Sequence, residues 1–371
     1  MAKSKNSVKA GGRSVAQADA TATPRYCCQP AQPFMALESS VTGDRLRAII
    51  ANHKTWANGT VLTYFLFADP QKHGAFAGDE ADCDAVRAAF DAWAALGIGI
   101  RFREVDQPHK ATLRIGFDQT DGSWSYVGRD NLAHASPKER TMNFGWPLTD
   151  AYGRDTAKHE IGHALGLNHE HQNWNAGIVW NTEKVIAYFS GPPNKWSVSQ
   201  IQSNILDKLP ANSVTGSKWD PDSIMHYQFG AGLIDHPPKY KTSPLIPHGG
   251  FSATDKAWAL EFYPPQDASK FPTLVPHRSE ILAVAHPGQA DYLISPDETR
   301  KYDLRLFGSA DAILLLYRID GDGEHYLTGE DDTGKDSNAA LNVRLEAGKQ
   351  YLLRVKVHYT PPQESLSLMM W

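Results

Sequence analysis

The chain has 371 residues, 41% of them hydrophobic and 21% charged, and a net charge of −5. That length allows more than one domain with a real core, and the mildly acidic balance argues against a nucleic-acid-binding surface. No apolar run approaches the roughly 18 residues of a transmembrane helix, and three cysteines, Cys27, Cys28 and Cys83, cannot build a disulfide framework.

In chain order, residues 1–24 are rich in Ser, Ala, Lys and Thr and nearly free of large apolar side chains, so disorder is expected. Lys3, Lys5, Lys9 and Arg13 make a basic start, but no apolar region of a secretory signal follows. Residues 1–45 read together as a disordered or pro-segment-like N-terminus. Residues 59–67, β-branched and aromatic, predict a strand. Residues 82–96 place Val86, Phe90 and Trp93 at helical spacing and predict an amphipathic helix. Runs at 98–105, 111–117 and 141–146 predict three further strands. A sheet flanked by helices is an α+β arrangement.

Residues 156–171 carry the chemistry. His159 and His163 are four apart, so on a helix both imidazoles leave one face and can share a single zinc ion (Zn²⁺). Glu160 sits one step round, poorly placed as a ligand and well placed as a general base for water. Gly166 can turn the chain at the helix end, where glycine escapes the Cβ penalty. His169 can then return as a third nitrogen ligand. Three protein ligands with an open fourth position mark a catalytic site. Downstream, residues 181–190 and 197–209 predict two helices, Met225 lies within Ser-Ile-Met-His-Tyr, and Ser252 to Asp255 caps a last helix ending at Phe262.

His-Glu-x-x-His-x-x-Gly-x-x-His followed by a Met-turn is the metzincin signature. Residues 123–128, 159–171 and 223–227, in that order, resemble the catalytic domain of astacin-type zinc endopeptidases, and 251–252 and 255–263 resemble its end. The likeness covers roughly residues 50–265, and the catalytic domain is placed at 46–266. It implies a twisted mixed sheet with helices, one catalytic zinc held by His159, His163 and His169, and Glu160 as base. It further implies Met225 as an apolar floor under the histidines and Tyr227 as a phenol that steadies the oxyanion. The strand carrying Trp124 and Tyr126 would form the upper rim of the cleft and bind an extended protein or peptide substrate. His226 is expected to be structural. The chain departs from the pattern at Ser123, where the family usually has a cysteine, and at 172–177, where an Arg/Asp-rich stretch is replaced. Glu170 follows the third histidine as in the family, without an evident partner.

Pro264-Pro265-Gln266 breaks the helix, and residues 267–371 follow as short alternating runs at 292–295, 302–307, 312–319, 325–328, 340–345, 350–358 and 365–371. Such spacing predicts an antiparallel β-sandwich, and residues 345–351 resemble pre-peptidase C-terminal domains of secreted bacterial proteases. Asp320 to Glu324 has the look of a calcium (Ca²⁺) loop, but His325 stands where an EF-hand needs glycine, so a plain hairpin is favoured.

The expectation is a zinc-dependent endopeptidase acting as a monomer. Its activity would suit a secreted location, although no conventional signal is present. Residues 24–30 loosely resemble the latency segment of matrix-type metzincins, with Cys27 or Cys28 as a candidate occupant of the water position; an unremarkable loose segment is the plainer reading. The alternatives are therefore a matrix-type metzincin with cysteine latency, or a non-enzymatic adhesion protein that keeps the fold.

Overall fold

In the computed structural model, residues 25–30, 54–209, 218–282, 284, 288–321, 323–330, 339–359 and 365–371 are described. The expected disorder of residues 1–24 lies outside them. The aromatic, β-branched run at 61–66 forms β1 (Val61–Leu66). It pairs in parallel with β2 (Arg101–Glu104) and β3 (Leu113–Gly116). β4 (Trp124–Ser125) is the edge strand, antiparallel to β5 (Met142–Asn143), which pairs in parallel with β3. The order β2-β1-β3-β5-β4 is the mixed sheet expected. Several strands are shorter than their alternating runs, because flanking residues such as Ile98, Ile100 and Phe144 are buried outside the ladder.

Two helices cover the sheet. α1 (Glu80–Ala94) is capped by Asp79, which accepts from Asp82 N at 2.8 Å, and buries Val86, Ala89, Phe90 and Trp93. α2 (Ala151–Ala164) begins earlier than the zinc motif alone suggests, because Asp150 caps it through Gly153 N at 2.6 Å. The two are joined where Trp93 Nε1 donates to the Lys158 carbonyl at 3.0 Å. A second core gathers below α2 around α3 (Thr182–Ser190), with Ile178, Val185, Phe189, Ile201, Ile205 and Phe229. The helix expected over 197–209 is one α turn, Val198–Ile201, and then a wider π turn, Gln202–Leu206, where Asn204 Nδ2 donates to the Gln200 carbonyl at 3.1 Å. A two-stranded pair, β6 (Val179–Trp180) and β7 (Ile234–His236), borders this core. α4 (Ala253–Phe262) carries a full capping box between Ser252 and Asp255 and leads Ala259 and Tyr263 into the first core.

The C-terminal residues form two four-stranded antiparallel sheets facing one another, a β-sandwich. One sheet contains β8 (Ser279–Leu282), β10 (Arg300–Phe307), β13 (Ala340–Leu345) and β15 (Leu366–Met370). The other contains β9 (Gly288–Ile294), β11 (Asp311–Asp320), β12 (Gly323–Glu330) and β14 (Gln350–Tyr359). Their inner faces share one core, including Tyr302, Leu304, Leu314, Leu316, Leu353 and Val355. β8 has no counterpart among the expected strands: Ile281 and Leu282 are too short an apolar signal. Calcium finds no support, since Glu324 pairs with Arg354 at 2.8 Å and with Arg101 at 2.9 Å, and Asp320 pairs with Arg318 at 2.8 Å. The turn is a hairpin.

Polar groups dock the sandwich onto the segment that precedes β1. Gln289 and the Asn58 backbone exchange two hydrogen bonds of 2.8 Å. Lys356, on β14, is buried and donates to the Trp56 carbonyl at 2.8 Å, to Thr55 Oγ1 at 2.6 Å and to the Thr55 carbonyl. Trp56 Nε1 in turn donates to the Ala164 carbonyl at the end of α2, at 2.7 Å. Among the described residues no helix is long and apolar enough to cross a membrane.

Candidate metal centre and cleft

α2 presents His159 and His163 from its buried face, and both are hidden from solvent. The chain then reverses at Gly166, whose φ of +102° lies in the region that favours glycine. Gly166 N donates to the His163 carbonyl at 2.8 Å and Leu167 N to that of Gly162 at 3.0 Å. This closed turn returns His169 beneath the helix, with its Nε2 3.0 Å from that of His163.

The other ring nitrogen of each histidine meets an acceptor. His159 Nδ1 lies 2.8 Å from the Ile224 carbonyl, His163 Nδ1 2.8 Å from the Leu167 carbonyl, and His169 Nδ1 3.3 Å from Gln172 Oε1. A carbonyl oxygen cannot donate, so each Nδ1 carries the proton and each Nε2 lone pair faces the common centre. Burial pulls His159 down to about 4 and His163 and His169 well below the usual imidazole range, with a neighbouring imidazole adding to the effect in the last two. The three rings are neutral, as metal ligation requires.

Cys27 completes the cluster. Its Sγ stands 3.1 Å from His159 Nε2, 3.3 Å from His169 Nε2 and 3.0 Å from the Tyr227 hydroxyl. One donor atom from each of Cys27, His159, His163 and His169 lies within 4.8 Å of the others. Lone pairs 3.0 Å apart, as on His163 and His169, repel unless a cation lies between them. Tetrahedral zinc with Zn–N near 2.0–2.1 Å holds two nitrogens about 3.3 Å apart, so this donor set fits zinc in identity and in size.

Glu160 is fully buried beside the cluster, and neither carboxylate oxygen finds a well-formed hydrogen bond. Burial pushes its carboxyl up to about 8, against a smaller downward pull from the Cys27 thiol. Met225 is 3% exposed, and its sulfur fills the space that a side chain on Gly162, between His159 and His163, would need. Tyr227 donates to the Cys27 carbonyl at 2.6 Å, and its ring centroid is 4.4 Å from that of His169. His226 accepts from Trp219 Nε1 at 3.0 Å and is packed away from the cluster. Glu170 has a partner after all, accepting from Asp220 N at 2.9 Å.

Trp124 and Tyr126 are not brought into this group. Trp124 Nε1 donates to Asp121 at 3.1 Å, and Tyr126 stacks on His134 with centroids 3.8 Å apart. The edge of β4 nevertheless receives a chain: Cys28 N donates to the Ser123 carbonyl at 3.1 Å. The Ser123 hydroxyl, where the family pattern has a cysteine, accepts from Gly145 N at 3.0 Å.

Three contributors escaped the motif reading. Gln29 brings its side-chain amide within 3.1 Å of His163 Nδ1, where the amide oxygen is the end able to accept from the protonated ring nitrogen. Asp255 accepts from Ser223 Oγ at 2.6 Å and from Ile224 N at 2.8 Å, so the residue expected only as a cap also pins the turn beneath the metal donors. Gly162, unremarkable in a motif that leaves its position free, makes room for Met225. Only the capping box around Asp255 had a sequence signal.

The sequence pattern of the peptidase family described as Astacin matches residues 49–234. Among solved structures, one described as the structure of myroilysin is 31% identical, with 58% of this chain and 98% of that chain covered and a TM-score of 0.51. A second, a crystal structure of myroilysin, is also 31% identical, covering 57% of this chain and 87% of that one with a TM-score of 0.42. Protein SpAN of Strongylocentrotus purpuratus is 29% identical over 148 residues, or 38% of this chain. The chain spans 21% of that relative's length. A mixed sheet with an antiparallel edge strand, crossed by a helix bearing paired histidines, defines a peptidase-type α/β domain. This chain belongs to the astacin family.

Proposed function

We propose that the chain is a zinc-dependent endopeptidase whose metal is held by His159, His163 and His169. The observation that carries this is the convergence of three neutral imidazoles beside a buried carboxylate without a well-formed hydrogen bond. Zinc bound there supplies Lewis-acid chemistry, polarising a carbonyl and making a water more acidic. The chain's own groups do the rest. The edge of β4 aligns an extended peptide through main-chain pairing. Glu160 takes the proton of the attacking water at a carboxylate oxygen and passes it to the leaving nitrogen. Tyr227, once free of Cys27, donates from its hydroxyl to the oxygen that gains charge. Met225 and Asp255 keep the floor rigid. The domain limits that go with this reading are 46–266 for the catalytic part and 267–371 for the sandwich.

A second reading concerns Cys27. Its Sγ occupies the fourth corner of the donor set, and its carbonyl engages Tyr227, so the intact chain is proposed to be latent. Metal content and hydrolysis of a quenched peptide library, read before and after limited proteolysis, test both. Full activity in the intact chain removes latency; a chain that neither holds zinc nor cleaves peptides removes the enzyme.

A further inference from the structure

The segment 25–30 runs through the cleft as a bound peptide would. Cys28 N donates to Ser123 on the upper wall, and Gln29 N donates to Asn204 Oδ1 on the lower wall at 2.9 Å. Tyr152 holds the Arg25 carbonyl. Cys27 stands between these ties, among the metal donors. The residue immediately before it, Tyr26, turns into the second core and is only 5% exposed.

Four rings surround it. The centroid of Tyr26 lies 4.7 Å from that of Phe189, 5.5 Å from Tyr227, and 6.2 Å from both Tyr188 and Phe229. Edge-on and stacked contacts both occur, as aromatic clusters prefer. The rings that meet Tyr26 are phenyl and phenol groups, none of them charged. The Tyr26 hydroxyl finds no well-formed hydrogen bond. A charged side chain there would be buried without a partner, whereas phenylalanine would lose nothing relative to tyrosine.

The lining of this pocket belongs to α3 and to the chain just after Met225, not to the segment that fills it. When the segment leaves, an aromatic-walled hole remains, opening beside Tyr227. We propose that this hole is a substrate subsite taking a phenylalanine or tyrosine side chain directly next to the scissile bond, and that Tyr26 occupies it as a surrogate. The inference rests on the peptidase reading above and adds the substrate class to it. Main-chain pairing along β4 tolerates any sequence, so this pocket is where selection for a side chain arises.

The test uses the full-length chain carrying Tyr26→Ala and Cys27→Ala, loaded with zinc, and wild type nicked by limited proteolysis as a second preparation. Each digests a complex peptide mixture, and mass spectrometry identifies the cut sites. The expected result is phenylalanine and tyrosine enriched about fivefold or more at one constant flanking position. In matched quenched peptides, exchanging that residue for alanine or aspartate lowers kcat/KM at least tenfold. Efficient cleavage with no aromatic preference, or with a charged residue favoured, overturns the subsite and leaves the peptidase standing. No cleavage by either preparation, with zinc bound, overturns the peptidase reading and the subsite with it.

Discussion

Met225 occupies the space of the side chain that Gly162 lacks: a Cβ built on Gly162 would overlap Met225 Sδ and come within 3.3 Å of the Trp93 ring. Met225 therefore reaches up against the helix backbone, between His159 and His163, the two helix residues that the proposed function assigns to the metal. Gly162→Ala is expected to destabilise by about 1–3 kcal/mol through overpacking. It should also weaken zinc retention, because Met225 cannot retreat without moving a turn that Asp255 holds in place. Urea unfolding and metal titration of the variant check this; an unchanged midpoint and affinity would mean that the floor is soft.

Glu160→Gln keeps the shape of the side chain and removes its ability to take a proton. Zinc content should match wild type, while hydrolysis falls by about 10²–10⁴-fold, the range of a lost acid–base catalyst. Peptide turnover at the wild-type rate would assign the base elsewhere.

Chelation should destabilise the catalytic half in particular. Without a cation, three lone pairs face one another, and stability held by zinc is lost by mass action, about 4 kcal/mol when free zinc exceeds its Kd a thousandfold. Calorimetry with and without chelator should show one transition moving down by several degrees and recovering on adding zinc.

Lys356→Met removes a buried donor that serves Thr55 and Trp56 together. Losing the donor to the Trp56 carbonyl in the interface should reduce stability by roughly 1–3 kcal/mol. Because Trp56 also holds the Ala164 carbonyl, the loss should reach the end of α2. Hydrogen exchange at residues 164–167 is the readout, and protection equal to wild type there would confine the effect to the sandwich.

Asp291 supplies a pH dependence. Burial raises its carboxyl to about 6, with Arg354 and the Gln289 and Gln266 amides opposing the shift. A carboxyl raised on folding binds its proton more tightly in the native state, so its stabilising effect is full at low pH and is lost as pH rises through about 6. Asp291→Asn should accordingly gain stability relative to wild type between about pH 4 and pH 7. Parallel stability curves for the two proteins would refute the shift.

Much of the site was legible in the residues themselves. The spacing of His159, His163 and His169 around Gly166 states a helix, a reversal and a convergence, because helical periodicity and the freedom of glycine at positive φ are local properties. Strand alternation revealed most of the sandwich for the same reason. Lengths were less legible: β2 and β3 stop short of their alternating runs because pairing, a property of two segments, ends where a neighbour turns away.

What the chain alone determined is thus the histidine spacing on one helix face, the reversal at Gly166 and the order of the elements, all written in short-range pattern. Only the tertiary structure decided that Cys27 stands among the donors, that Tyr26 fills an aromatic pocket and that Lys356 ties the sandwich to the end of α2. Each joins residues more than a hundred positions apart, with no shared periodicity to announce them. Such contacts exist because buried polar groups and empty apolar space must be satisfied by whatever the fold brings near.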